Sequence, residues 1–160
     1  MARPLHGRLF AVPLNRELLG KEYEPVPYEV GKEKIREFAR AVGETDPIYH
    51  DSQAARDRGY SEQVAPLTFP TVIHIQSGPQ VIMDPELGLD YALVVHGSQE
   101  FEYRRPILVG DVLTARPRIS EITARGPHEF LTIETPMTDA SGELVCVARA
   151  TLISRGTAPR

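Results

Sequence analysis

Thr68-Phe69-Pro70-Thr71-Val72-Ile73-His74-Ile75-Gln76-Ser77-Gly78-Pro79-Gln80-Val81 contains no charged residue. Phe69, Val72 and Ile73 fall at helical spacing, and Pro70 sits in the first turn, where a missing N–H costs nothing. The stretch predicts a helix beginning near Thr68, and a helix without charge is one covered on most sides. From Tyr91 onward the period drops to two. Val95, Gly97, Gln99, Phe101 and Tyr103 alternate with His96, Ser98, Glu100 and Glu102. Val112–Ile122, Glu129–Thr135 and Glu143–Ile153 read as further strands, the last two joined by the turn signal Asp139-Ala140-Ser141-Gly142. One buried helix followed by an antiparallel meander predicts an α+β fold in which a sheet wraps a central helix.

Upstream, Pro25 and Pro27 make Glu22–Val30 extended. A first helix follows, with Ile35, Phe38, Ala39 and Val42 on its apolar face and Lys32, Lys34, Arg36 and Arg40 turned away. Gly43 ends it. A polar loop holds Pro47, and Ser52–Arg56 forms a short helix capped by Asp51 or Ser52. Residues 1–20 read as an N-terminal arm, 21–156 as one domain, and 157–160 as a frayed tail. No linker, repeat or low-complexity tract interrupts them.

The chain has 160 residues, enough to bury a core without metals or disulfides. Its formal net charge of -4 gives no electrostatic reason for a nucleic-acid or membrane partner. Cys146, the only cysteine, lies in an apolar run and reads as a buried structural thiol. The five histidines show no metal-binding spacing, and nothing calls for a metal, nucleotide or flavin cofactor. No stretch is long and apolar enough to span a bilayer. The N-terminus lacks a sustained apolar segment and reads as that of a cytoplasmic protein.

Three strings carry a family likeness: Tyr28-Glu29-Val30-Gly31-Lys32-Glu33-Lys34-Ile35-Arg36-Glu37-Phe38-Ala39, Val64-Ala65-Pro66-Leu67-Thr68-Phe69-Pro70, and Phe101-Glu102-Tyr103-Arg104-Arg105-Pro106-Ile107-Leu108-Val109-Gly110-Asp111. In this order the sequence resembles MaoC-like dehydratase N-terminal domains, in particular the A-type, non-catalytic subunits of (3R)-hydroxyacyl-ACP dehydratases. The resemblance implies a hot-dog fold, dimerisation through the sheets and fatty acyl thioester substrates. It also places the uncharged helix at the centre of the fold. The helix start would lie by the thioester and its side along the acyl channel, making Thr68, Phe69, Pro70, Val72 and Ile73 candidate substrate-binding residues. Phe69, Val72 and Ile73 also have a plain reading as core.

Active members carry a loop of the form Gly-Asp-x-Asn-Pro-(Leu/Ile)-His. Hydration of an α,β-unsaturated thioester needs a base to activate water and an acid to deliver a proton, and that Asp and His supply them. Here the loop is Gly43-Glu44-Thr45-Asp46-Pro47-Ile48-Tyr49-His50. Anchored on Gly43 and Pro47, the Asp becomes Glu44 and the His becomes Tyr49. No register restores both an acid and a histidine at the family spacing. Asp46 and His50, four apart, form a fallback pair only in a tighter loop. Asp46 before Pro47 is also a common turn starter.

The leading expectation is therefore an acyl-thioester-binding subunit without a catalytic pair. It would act on acyl-CoA or acyl-ACP beside a catalytic MaoC-like subunit with an intact Asp/His loop. Three alternatives stay open: a self-sufficient homodimeric hydratase using Asp46 and His50, or Glu44; a non-enzymatic acyl-thioester binding protein; and a thioesterase on the same fold.

Overall fold

The computed structural model describes residues 12–159, so positions 1–11 of the expected arm, and Arg160, lie outside the described residues. Six antiparallel strands form one sheet: β1 (Val26–Glu29), β2 (Val94–Tyr103), β3 (Val112–Ala115), β4 (Arg118–Arg125), β5 (His128–Thr138) and β6 (Leu144–Ser154). Their order is β1-β3-β5-β6-β2, with β4 also paired to β5. The expected strand Val112–Ile122 divides into β3 and β4 because Pro117 has no N–H to give the ladder. Alternation is clearest in β5, where Glu129, Leu131, Ile133, Thr135 and Met137 are buried and the residues between them only half so.

The sheet's dry face carries α3 (Pro70–Ser77), which touches β1, β3 and β6. This is the α+β hot-dog arrangement. The predicted helix comes in two pieces, α3 and α4 (Pro79–Ile82). Pro79 cannot donate to the preceding turn and its ring crowds that carbonyl, while Gly78 keeps helical dihedrals and lets the chain run on. Phe69, Ile73, Ser77 and Val81 are fully buried. Cover on most sides was expected, yet Ile75 and Met83 are 64% and 74% exposed, so one apolar stripe of α3–α4 stays open.

Two cores lie under the sheet. In the first, Phe69 meets the Phe38 ring edge-on at 5.5 Å and that of Tyr28 at 6.2 Å. Phe38 belongs to α1 (Lys32–Val42), whose Ile35 and Ala39 are buried. Val42, expected on the same face, is 49% exposed because the helix ends there at left-handed Gly43. In the second core Val81 and Leu87 pack with Leu131, Leu152 and Leu14.

Leu14 ties the described part of the N-terminal arm to the sheet. Its N–H donates to the buried Glu129 carboxylate at 2.9 Å, and Arg16 donates to the other carboxylate oxygen at 3.4 Å. A carboxylate facing the dry side needs such donors, and the N-terminal segment brings them. The tail is likewise tied down as far as Ala158: Thr157 is buried, and its hydroxyl donates to the Ser154 carbonyl.

β2 is an edge strand with five of its ten residues exposed. Its register shifts at Gly97, where a Cβ would stand 3.0 Å from the Thr151 carbonyl oxygen. A side chain there would have to push that carbonyl aside by a few tenths of an ångström.

Candidate functional site

The loop from Gly43 to His50 is built from local hydrogen bonds. Gly43 closes α1, and the Glu44 N–H returns to the Ala39 carbonyl at 2.8 Å. Asp46 caps the 3-10 turn Pro47–Tyr49 by accepting from the Ile48 N–H at 3.2 Å. Its other carboxylate oxygen accepts from Arg58 at 2.6 Å, and that bond, with the Ile48 N–H, holds the carboxyl below the usual carboxylate range. His50 turns the other way, donating from Nε2 to the Glu44 carbonyl at 2.8 Å. The fallback pair is thus not brought into contact: each member is engaged by a different neighbour.

Tyr49 is half-buried beside Ile48 and Ala55, and burial raises its phenol above the ordinary value. Glu44, by contrast, is exposed. The Tyr103 phenol is raised strongly by burial, with smaller contributions from Cys146 and Tyr49, and donates to the Leu67 carbonyl at 2.9 Å. The loop and the start of α3 therefore meet at one end of the fold. Donors are few at that helix start. Pro70 has no N–H, and those of Phe69, Thr71 and Val72 already bond back within the turn at 2.8, 3.1 and 2.9 Å. Among the described residues, the N–H groups of Leu67 and Thr68 have no recorded partner.

A cleft of about 640 Å³ runs along the open stripe of α3–α4, from Thr71 to Met83, against β2, β5 and β6. Ile82 and Met83 face Ile133, Ala150 and Leu152 across it, so most of the lining is apolar. None of Thr68, Phe69, Pro70, Val72 and Ile73 borders this cleft. Phe69 and Ile73 are buried in the first core, Pro70 is buried, Val72 packs partly against that core, and Thr68 is exposed. The cleft uses the neighbouring helical stripe instead, Thr71, His74, Ile75 and Gly78.

His74 and His96 both line the cleft. His74 is 6% exposed, and its Nδ1 lies 2.9 Å from the Thr135 hydroxyl. Burial, with the nearby His96, lowers its pKa to about 4, so the ring is neutral at pH 7. His96 donates from Nε2 to Gln99 Oε1 at 3.4 Å, and Gln99 donates to the Arg149 carbonyl at 3.1 Å. The signal for His74 was its place within an uncharged helix; nothing in the sequence pointed to its meeting Thr135 on β5.

Cys146 is fully buried, its thiol pushed up to about 12 by burial. Among the described residues no group of three or more potential ligands gathers for a metal ion, and no helix is long and apolar enough to cross a membrane.

Comparison with known proteins gives the family. Residues 17–148 match the model for the FAS1-like, dehydratase domain region. A UPF0336 protein of Saccharopolyspora erythraea is 45% identical over 148 residues, 92% of this chain and 95% of that protein. Among solved structures, the Mycobacterium tuberculosis HadBC (3R-hydroxyacyl-ACP dehydratase) complex superposes with a TM-score of 0.78 at 34% identity, over 85% of this chain and 96% of that one. A MaoC-like dehydratase superposes at 0.80 with 32% identity; it covers 86% of this chain, which spans 42% of that longer one. The chain belongs to the FAS1-like dehydratase family, within the MaoC-like hot-dog dehydratases.

Proposed function

We propose that this protein is the acyl-thioester-holding, non-catalytic subunit of a (3R)-hydroxyacyl thioester dehydratase, working beside a MaoC-like subunit that supplies the Asp/His pair. The observation that carries this reading is a division within the chain. The loop that would hold the reacting groups has Glu44 and Tyr49 at the working positions, with Asp46 committed to Arg58 and His50 to a backbone carbonyl. The largely apolar cleft along α3–α4 is nevertheless fully formed. Hydration chemistry needs two groups with separated proton affinities facing one substrate, whereas holding a chain needs only a shaped apolar wall. The likeness to a dehydratase solved as a complex supports assembly with a second subunit. So does the exposed edge of β2, a row of unpaired backbone groups. The cytoplasm is the compartment this reading assigns.

Titration calorimetry of the purified chain with saturated acyl-CoAs of increasing length tests the holding role. Affinity should rise with each added methylene, by up to about fourfold per CH₂ buried, until the cleft is full. An affinity independent of chain length contradicts it.

A further inference from the structure

One polar group in the apolar cleft has an unmet requirement. Thr135 on β5 is fully buried, and the one hydrogen-bond partner of its hydroxyl among the described residues is Nδ1 of His74. A buried O–H left without an acceptor is costly, so Thr135 donates and Nδ1 accepts. That assignment puts the ring proton on Nε2. Nε2 makes no hydrogen bond with any described residue, and it is not among the enclosed side-chain atoms lacking a partner, which are Gln63 Oε1 and Ser154 Oγ. It is therefore open, and His74 opens onto the cleft. The ring is uncharged at neutral pH because burial opposes its protonation. An uncharged donor in an apolar cleft brings no counter-charge to offset the desolvation of a carboxylate, so the position fits an uncharged acceptor oxygen.

The donor also has a defined depth. His74 lies four residues beyond Pro70, about 6 Å along the helix axis at 1.5 Å per residue. If the thioester sits at the helix start, the donor meets the acyl chain several carbons further in. Gln99 and His96 bring more polar atoms to the β2 side of the same cleft.

We propose that the cleft is shaped for an acyl thioester whose chain carries a keto or hydroxyl oxygen opposite Nε2 of His74, and not for a plain saturated chain. This rests on the acyl-holding reading and narrows its substrate class. A chain with an oxygen at that depth fills the donor's open position. A saturated chain buries the donor unpaired, and discrimination of this kind is strong because the unpaired group stays with the protein.

The test is calorimetric titration of the full chain with a saturated acyl-CoA and a set of acyl-CoAs of the same length, each with one keto group stepped along the chain. We expect one keto position to bind about tenfold tighter than the saturated chain. His74→Phe should abolish that preference, so that keto and saturated chains bind alike. Thr135→Val, which frees Nδ1 to take the proton, should weaken the preference with the ring still in place, and it serves as the second variant if His74→Phe does not fold. Nitrogen-15 histidine spectra of the parent should show His74 as the Nε2–H tautomer. Equal binding of keto and saturated chains, or an Nδ1–H ring, overturns this inference alone. Failure of every acyl-CoA to bind overturns the acyl-holding reading, and this inference with it.

Discussion

Arg58 donates to Asp46 across 2.6 Å, and this contact engages the acid of the fallback pair. With one oxygen on Arg58 and the other capping the turn at Ile48, the carboxylate has little capacity left to activate water. We expect Asp46→Asn and His50→Ala, each assayed in the assembled dehydratase, to leave kcat/KM within about twofold of the parent. A loss of a hundredfold or more in either would place that residue in the chemistry.

The two stripes of the central helix should separate stability from chain length. Ile73 is fully buried against Phe69 in the first core, so Ile73→Phe is expected to cost about 1–3 kcal/mol of stability, with no change in preferred chain length. Thr71 borders the cleft. Thr71→Phe should leave the fold intact and lower kcat/KM for long against short enoyl thioesters by about tenfold, or 1.4 kcal/mol. Thermal melts and a chain-length series in the assembled enzyme report both.

That division between stripes was not legible in the sequence. An uncharged helix offers the same apolar signal on all sides, so periodicity found the helix but not which face meets core and which meets a cavity. Contacts across the fold were hidden for a similar reason: His74 and Thr135 are 61 positions apart and meet only because β5 passes under α3. Local signals did better. The alternation of β5 and the turn at Asp139 follow from nearest neighbours in the chain, and Asp139 takes the turn's Ser141 and Glu143 N–H groups as its residue type requires. Glu129 was within reach, since it shares parity with Leu131 and Ile133 and so had to face inward. The reading of Glu44 and Tyr49 rests on the family likeness of their loop, while the commitments of Asp46 and His50 needed the folded loop.

Glu129 gives a prediction of its own. Removing its carboxylate leaves the buried Leu14 N–H without an acceptor and releases Arg16. Glu129→Ala should destabilise the protein by about 2–3 kcal/mol, read as a lower denaturant midpoint. Glu129→Gln, which keeps an acceptor, should lose less. If both variants unfold with the parent, residues 12–20 contribute nothing to the second core.

His74 makes stability depend on pH in a set direction. Its pKa lies near 4 in the folded chain against an ordinary value of 6.5, so unfolding takes up a proton between those limits. The contribution is fully present above about pH 6.5 and is lost as pH falls toward 4. At about 1.4 kcal/mol per pH unit, the loss reaches roughly 3 kcal/mol. In His74→Phe this part of the acid-side decline should vanish from chemical denaturation curves measured across that range. A variant with the parent's full slope would show that His74 is not the group responsible.

The most direct measurement of the division of labour is hydration of crotonyl-CoA by three samples: the purified chain, a MaoC-like subunit with an intact Gly-Asp-x-Asn-Pro-x-His loop, and the two together. With no acid and base facing one substrate, the chain alone should run at background, and the pair should turn over at a rate typical of enzymes, on the order of 10 per second. Turnover near that rate by the chain alone would contradict a non-catalytic role and return the reacting groups to this subunit.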